Sequence, residues 1–90
     1  MTEIPNISSY GNYESSNYGM NTIRLGLSSI TLYYSYKTIV AYSDFTDGLT
    51  VCDNVWSTTT GKHLNWIDDD HSIRLPFEQF EIKLQAALDR

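Results

Sequence analysis

The alternation of apolar and polar positions becomes regular at Thr22 and dictates the middle of the chain. In "NTIRLGLSS", Ile23, Leu25 and Leu27 alternate with Arg24 and Gly26, the period-2 signature of a strand with one buried face. "SITLYYSY" repeats it, with Ile30, Leu32, Tyr34 and Tyr36 on one side and Thr31, Tyr33 and Ser35 on the other. The Ser28-Ser29 pair between them suits a tight hairpin turn. After a turn near Tyr36 to Thr38, the β-branched and aromatic "TIVAYSDF" predicts a third strand. Asp47-Gly48 then supplies a left-handed turn position, and "LTVCDN" a fourth strand. Short strands joined by tight turns make an antiparallel meander with one solvated face.

A flat meander needs a cover, and the C-terminal pattern supplies one. In "LPFEQFEIKLQAALDR", Pro76 suits a first helical position and Glu78 the first turn, while Phe77, Phe80, Leu84, Ala87 and Leu88 recur at helical spacing. Full burial of Phe77, Phe80, Leu84 and Leu88 would contribute roughly 1.5–3 kcal/mol each. The predicted fold class is α+β, an antiparallel three- to five-strand meander covered on one face by a C-terminal amphipathic helix. "HSIRL" just before the helix predicts a short extra strand with Ile73 and Leu75 facing inward.

Two segments break the pattern. Residues 1–20, rich in Ser, Asn, Gly and Tyr, keep no period and predict a partly flexible N-terminal arm ahead of a single domain over residues 21–90. Tyr10, Tyr13 and Tyr18 are too apolar for a purely solvating tail, so part of the arm is expected to lie across the domain or to join the sheet as an edge. The second segment, "WSTTTGKHLNWID" from Trp56 to Asp68, is interrupted by Gly61 and predicts a structured loop pinned by Trp56 and Trp66.

The polar residues of that loop are the richest chemistry in the chain. Thr59, Lys62, His63 and Asn65, beside a Trp face, form a set able to bind a phosphate-bearing or nucleotide-like ligand. "TTTGKH" lacks the spacing of the phosphate-cradling GxxxxGK[ST] loop, and a local hydrogen-bond network that fixes the loop is the competing reading.

Composition narrows the rest. Ninety residues hold one core, and no apolar run approaches the ~18 residues of a membrane span. "MTEIPNISSYGNY" carries no signal-peptide pattern, so a cytoplasmic address is expected. Six basic against eleven acidic residues, a net charge of −5, repel phosphate backbones and argue against a generic nucleic-acid binder. Cys52 is the one cysteine, and its strand-like setting predicts a buried, inert thiol.

His63 and His71 lack the close paired spacing of zinc ligands, and "DDDH" reads as a solvated acidic turn before it reads as a cation site. There is no Gly-x-Ser-x-Gly elbow and no Ser-x-x-Lys pair. The expectation is therefore a non-enzymatic protein without cofactor or metal.

Taken together, "SYGNYESSNYGMNTIRL", "LYYSYKTIVAY", "WSTTTGKHLNWID" and "RLPFEQFEIKL" resemble a family of small bacteriophage- and prophage-encoded proteins of uncharacterised function, most specifically at "TTGKHLNWID". The resemblance covers nearly the whole chain and carries no catalytic residues. It implies a phage-borne context, in which small acidic proteins commonly bind and block a host protein or nucleoprotein defence complex, anti-CRISPR inhibitors among them. The expected function is such an interaction protein, using Tyr33 and the aromatic loop with Trp56 and Trp66, since Tyr and Trp carry much interface energy. The alternative is a small-ligand module binding a nucleotide or anion through the loop. Open sheet edges also make a homodimer a candidate.

Overall fold

The computed structural model describes residues 6–10, 22–56 and 58–89. Five strands follow one another as an antiparallel meander: β1 (Asn6–Ser9), β2 (Thr22–Gly26), β3 (Ile30–Ser35), β4 (Thr38–Asp44) and β5 (Gly48–Val51). Two α-helices follow, α1 (Thr58–Ile67) and α2 (Phe77–Leu88), with a 3-10 turn at His71–Ile73 between them. The meander and its C-terminal helix are as the sequence predicts, and the arm contributes β1 as an edge strand. The rest of residues 1–20, with Tyr13 and Tyr18, lies outside the described residues.

Register follows from the alternation. Leu25 pairs with Leu32 and Leu32 with Tyr42, which stacks apolar side chains on one face. Phe80 and Ala87 of α2 close over Ile30, Leu32, Tyr42 and Cys52 there, with Leu84 half-buried beside them. The stripe is narrower than its spacing suggests, because Phe77 and Leu88 sit at the helix ends and stay exposed. Ala41 pairs with Tyr33 but Ile39 with Tyr34, so Val40 is an extra residue in β4. This bulge puts Val40 and Ala41 on the same side, opposite to α2, where they pack with Val51 and Leu64.

The region from Trp56 to Asp68 is therefore not an irregular loop. Most of it is α1, which covers the β4–β5 end of the second sheet face. Its inward stripe is Thr60, His63, Leu64 and Ile67, at helical spacing, in which Thr60 and His63 occupy positions usually filled by apolar residues. Gly61 does not break the helix; it lets α1 approach the preceding segment, since a Cβ there would lie 2.9 Å from Asn54 Nδ2. The predicted extra strand is also revised. Residues His71–Ile73 form a 3-10 turn with Ile73 39% exposed, and only Leu75 joins the sheet, in a parallel bridge to Cys52.

Both hairpin ends are tightly built. The β3–β4 turn places Tyr36 at φ 57°, a left-handed conformation that costs a non-glycine residue about 1–2 kcal/mol. Gly48, at φ 69°, takes the equivalent conformation at the β4–β5 turn without that cost. No helix among the described residues is long and apolar enough to cross a membrane.

Candidate functional site

Three polar assemblies arise from this framework, and they divide the residues that the sequence grouped together. The first lies inside. His63 and Ser35 are almost fully buried, with Nδ1 of His63 2.7 Å from Ser35 Oγ and Ser35 Oγ 3.1 Å from Thr60 Oγ1. Trp66 stacks on the imidazole at 5.5 Å between ring centroids, and Tyr36 lies against it at 5.6 Å. The network ties α1 to the end of β3. His63 is thus a core histidine, and the local network competes successfully with ligand binding as the account of this residue.

Burial, reinforced by the Lys62 charge, lowers the His63 pKa below its ordinary 6.5. The unfolded chain then binds more protons than the folded one between the lowered value and 6.5, so stability is lost as the pH drops through that window. The expected result is a melting temperature that holds above about pH 6.5 and declines below it. His63→Gln should flatten that decline. An unchanged slope in the variant would assign the acid sensitivity to other groups.

The second assembly is a groove of about 830 Å³ between α1 and the segments at Asp53–Val55 and His71–Arg74. Lys62 and Asn65 project into it from α1, joined by His71 and Arg74. Asn65 Oδ1 accepts from Arg74 Nη2 at 2.9 Å and lies 3.0 Å from His71 Nε2, while the same Arg74 nitrogen donates to the Asp68 carbonyl at 3.2 Å. The acidic turn is likewise ordered by its own bonds. Asp70 accepts from Ser72 Oγ at 2.6 Å and Ser72 N at 3.0 Å, which holds its carboxyl below the usual range.

The third is the end of the sheet where the β2–β3 and β4–β5 turns meet. Leu27 and Phe45 line a small cavity of about 220 Å³ there. Phe45 is 95% exposed, yet the turn that carries it is braced. The Asp47 amide donates to Asp44 Oδ1 at 2.7 Å, Tyr42 Oη donates to Asp47 Oδ2 at 2.6 Å, and Lys83 Nζ lies 3.8 Å from Asp47 Oδ1. Burial, then the Asp47 bond, raises the Tyr42 hydroxyl to about 12, so it remains a donor throughout the physiological range.

The sequence-predicted binding residues fall out as follows. Lys62 and Asn65 are brought together in the groove. His63 and Trp66 belong to the interior network, and Thr59 is exposed outside it. Trp56 is half-buried at the junction of both cores, edge-on to Phe77 at 5.9 Å, which is the pinning role its size suggests. Tyr33 is half-buried under the second core and edge-on to Tyr10 at 5.6 Å. Arg74 and Phe45 were not singled out by sequence reasoning, and His71 was weighed there only as a metal ligand.

Cys52 is fully buried, and burial followed by the Asp53 and Glu81 charges pushes its thiol up to about 11. Among the described residues, no group of three or more His, Cys, Asp or Glu side chains is placed to hold a metal ion.

The chain belongs to a family of unknown function: the model described as "Family of unknown function (DUF8033)" matches residues 5–81. No curated protein and no solved structure matches the chain.

Proposed function

We propose that this member of a family of unknown function is a non-enzymatic interaction protein that binds and blocks a larger protein or complex, with the braced β4–β5 turn as its docking point. The observation that carries the reading is Phe45, 95% exposed on a turn held from both sides. A Phe side chain left in water forgoes roughly 1.5–3 kcal/mol that burial would return. Fixing it in advance removes part of the ordering cost of association, the property expected of an interface anchor. Leu27, 40% exposed beside it, widens the apolar contact.

This reading moves the contact surface away from the aromatic segment around Trp56 and Trp66, whose rings pack within the domain. The non-enzymatic part is supported by the reactive groups, since the Cys52 thiol is sealed and the Ser35–His63 pair lies in the core. The class of partner follows from the resemblance to phage-borne proteins: a bacterial host protein or a defence complex. Phe45→Ala and Leu27→Ser should leave the melting temperature nearly unchanged and weaken capture of the partner at least about tenfold, as loss of a hot-spot residue does. Full capture by a folded Phe45→Ala protein would remove this surface.

A further inference from the structure

We propose that the groove beside α1 binds the phosphate group of a small phosphoester, with Lys62, Asn65 and Arg74 as its donors. The proposal concerns a different surface from the Phe45 turn and stands or falls separately.

The chain carries eleven acidic residues against six basic ones, so a cation has many potential partners. Yet Lys62 and Arg74, which line the same groove, make no ion pair among the described residues. Arg74 is held by two neutral oxygens, the Asn65 amide and the Asp68 carbonyl, both through Nη2. Its Nε–H is sealed from solvent, with no acceptor among the described residues, so only the Nη edge of the fork is open to a ligand. A guanidinium fixed in place by neutral groups keeps its whole positive charge for whatever fills the groove, and Nη1 has no acceptor among the described residues to share it with.

Asn65 extends the donor set. Its Oδ1 is committed to Arg74 and His71, which directs the amide nitrogen, a donor only, the other way. Thr58, the first residue of α1, also lines the groove, where the leading helix N–H groups lack intrahelical acceptors and favour an anion. A point cation and an amide from α1, with a planar fork from the segment after the 3-10 turn, suit a tetrahedral oxyanion better than a flat carboxylate.

Size points beyond a bare ion. About 830 Å³ lies within the range of small-molecule sites, and Val55, 55% exposed, gives the ligand an apolar wall. Asp53 also lines the groove and opposes an anion, which provides an internal test.

The full chain would be titrated with inorganic phosphate and with AMP while backbone amide and Arg side-chain resonances are followed by NMR. Saturable shifts at Gly61, Lys62, Asn65 and Arg74 are expected, about tenfold weaker binding for Lys62→Met, and tighter binding for Asp53→Asn. Lys62 is exposed and makes no ion pair, so its variant should fold; Lys83→Met, remote on α2, should bind as the parent does. Tighter binding of AMP would identify a nucleotide-like ligand, and equal binding would identify phosphate itself. Absence of saturable shifts, shifts centred elsewhere, or equal loss in Lys62→Met and Lys83→Met would overturn the proposal.

Discussion

Replacing Phe80 with alanine is expected to cost about 3–5 kcal/mol, the range for large-to-small changes of a buried aromatic. Phe80 is 1% exposed, and its ring centroid lies 6.0 Å from that of Tyr42, at the centre of the contact between α2 and the sheet. The surrounding side chains come from four different elements, β3, β4, α2 and the bridge at Cys52, so the cavity has few ways to collapse. A domain of this size has only ~5–15 kcal/mol of stability, so a large share of it would be lost. Thermal unfolding should shift by upwards of roughly 12 °C. Phe77→Ala is the internal comparison, because Phe77 is 37% exposed and touches chiefly the edge of Trp56. Its cost should be clearly smaller, the ~0.5–1.5 kcal/mol of an aromatic pair plus the burial of a partly exposed ring. Equal losses for the two variants would contradict the placement of α2.

Leu64→Ala is expected to cost about 2–5 kcal/mol. Leu64 is fully buried against Val40, Ala41 and Val51, and it is the apolar side chain that α1 buries completely in the second core, with Ile67 partly buried beside it. In a peptide of ten residues a helix is marginal on its own, and α1 has no acidic residue in its first turn and no basic residue in its last. Its helicity therefore depends on this packing. Urea denaturation should show the loss, and the far-ultraviolet helix signal of the folded variant should fall with it. A loss below about 1 kcal/mol would imply a segment anchored by its tryptophans alone, without a packed helix under it.

That second variant also marks where sequence reasoning stopped. The strands were legible because Ile23, Leu25, Leu32 and Tyr42 obey a period of two, and a register that violated it would expose the core. The C-terminal helix was legible because Phe80, Leu84 and Ala87 obey a period of 3.6 with Glu78 at the start. For α1 the period exists but is written in Thr60, His63, Leu64 and Ile67, half of them polar. Three successive Thr, then Gly61, His63 and Asn65, are residues of modest or poor helix propensity, so tertiary packing decides the conformation. The Ser35 hydroxyl that satisfies His63 lies 28 residues away in sequence, and no local reading could supply it.

The candidate sites divide in the same way. Lys62 and Asn65 were visible as polar residues in one segment, and the helix places them on one side of it. Arg74 comes from beyond the 3-10 turn and reaches the groove only because Leu75 bridges to Cys52 and fixes the return of the chain. Phe45 was hidden for the opposite reason. As the continuation of a β-branched strand it reads as another core position, and only the braced turn shows it facing solvent.

The claim that the β4–β5 turn is the docking point can be tested by chemistry at a single position. A photoreactive benzoylphenylalanine replacing Phe45 would be illuminated in the presence of bacterial host lysate, with the same group at Tyr33 and at Ile82 as comparisons. One dominant covalent adduct from position 45, suppressed by excess unlabelled protein, is the expected result. Adducts from position 33 or 82 with none from position 45 would contradict it.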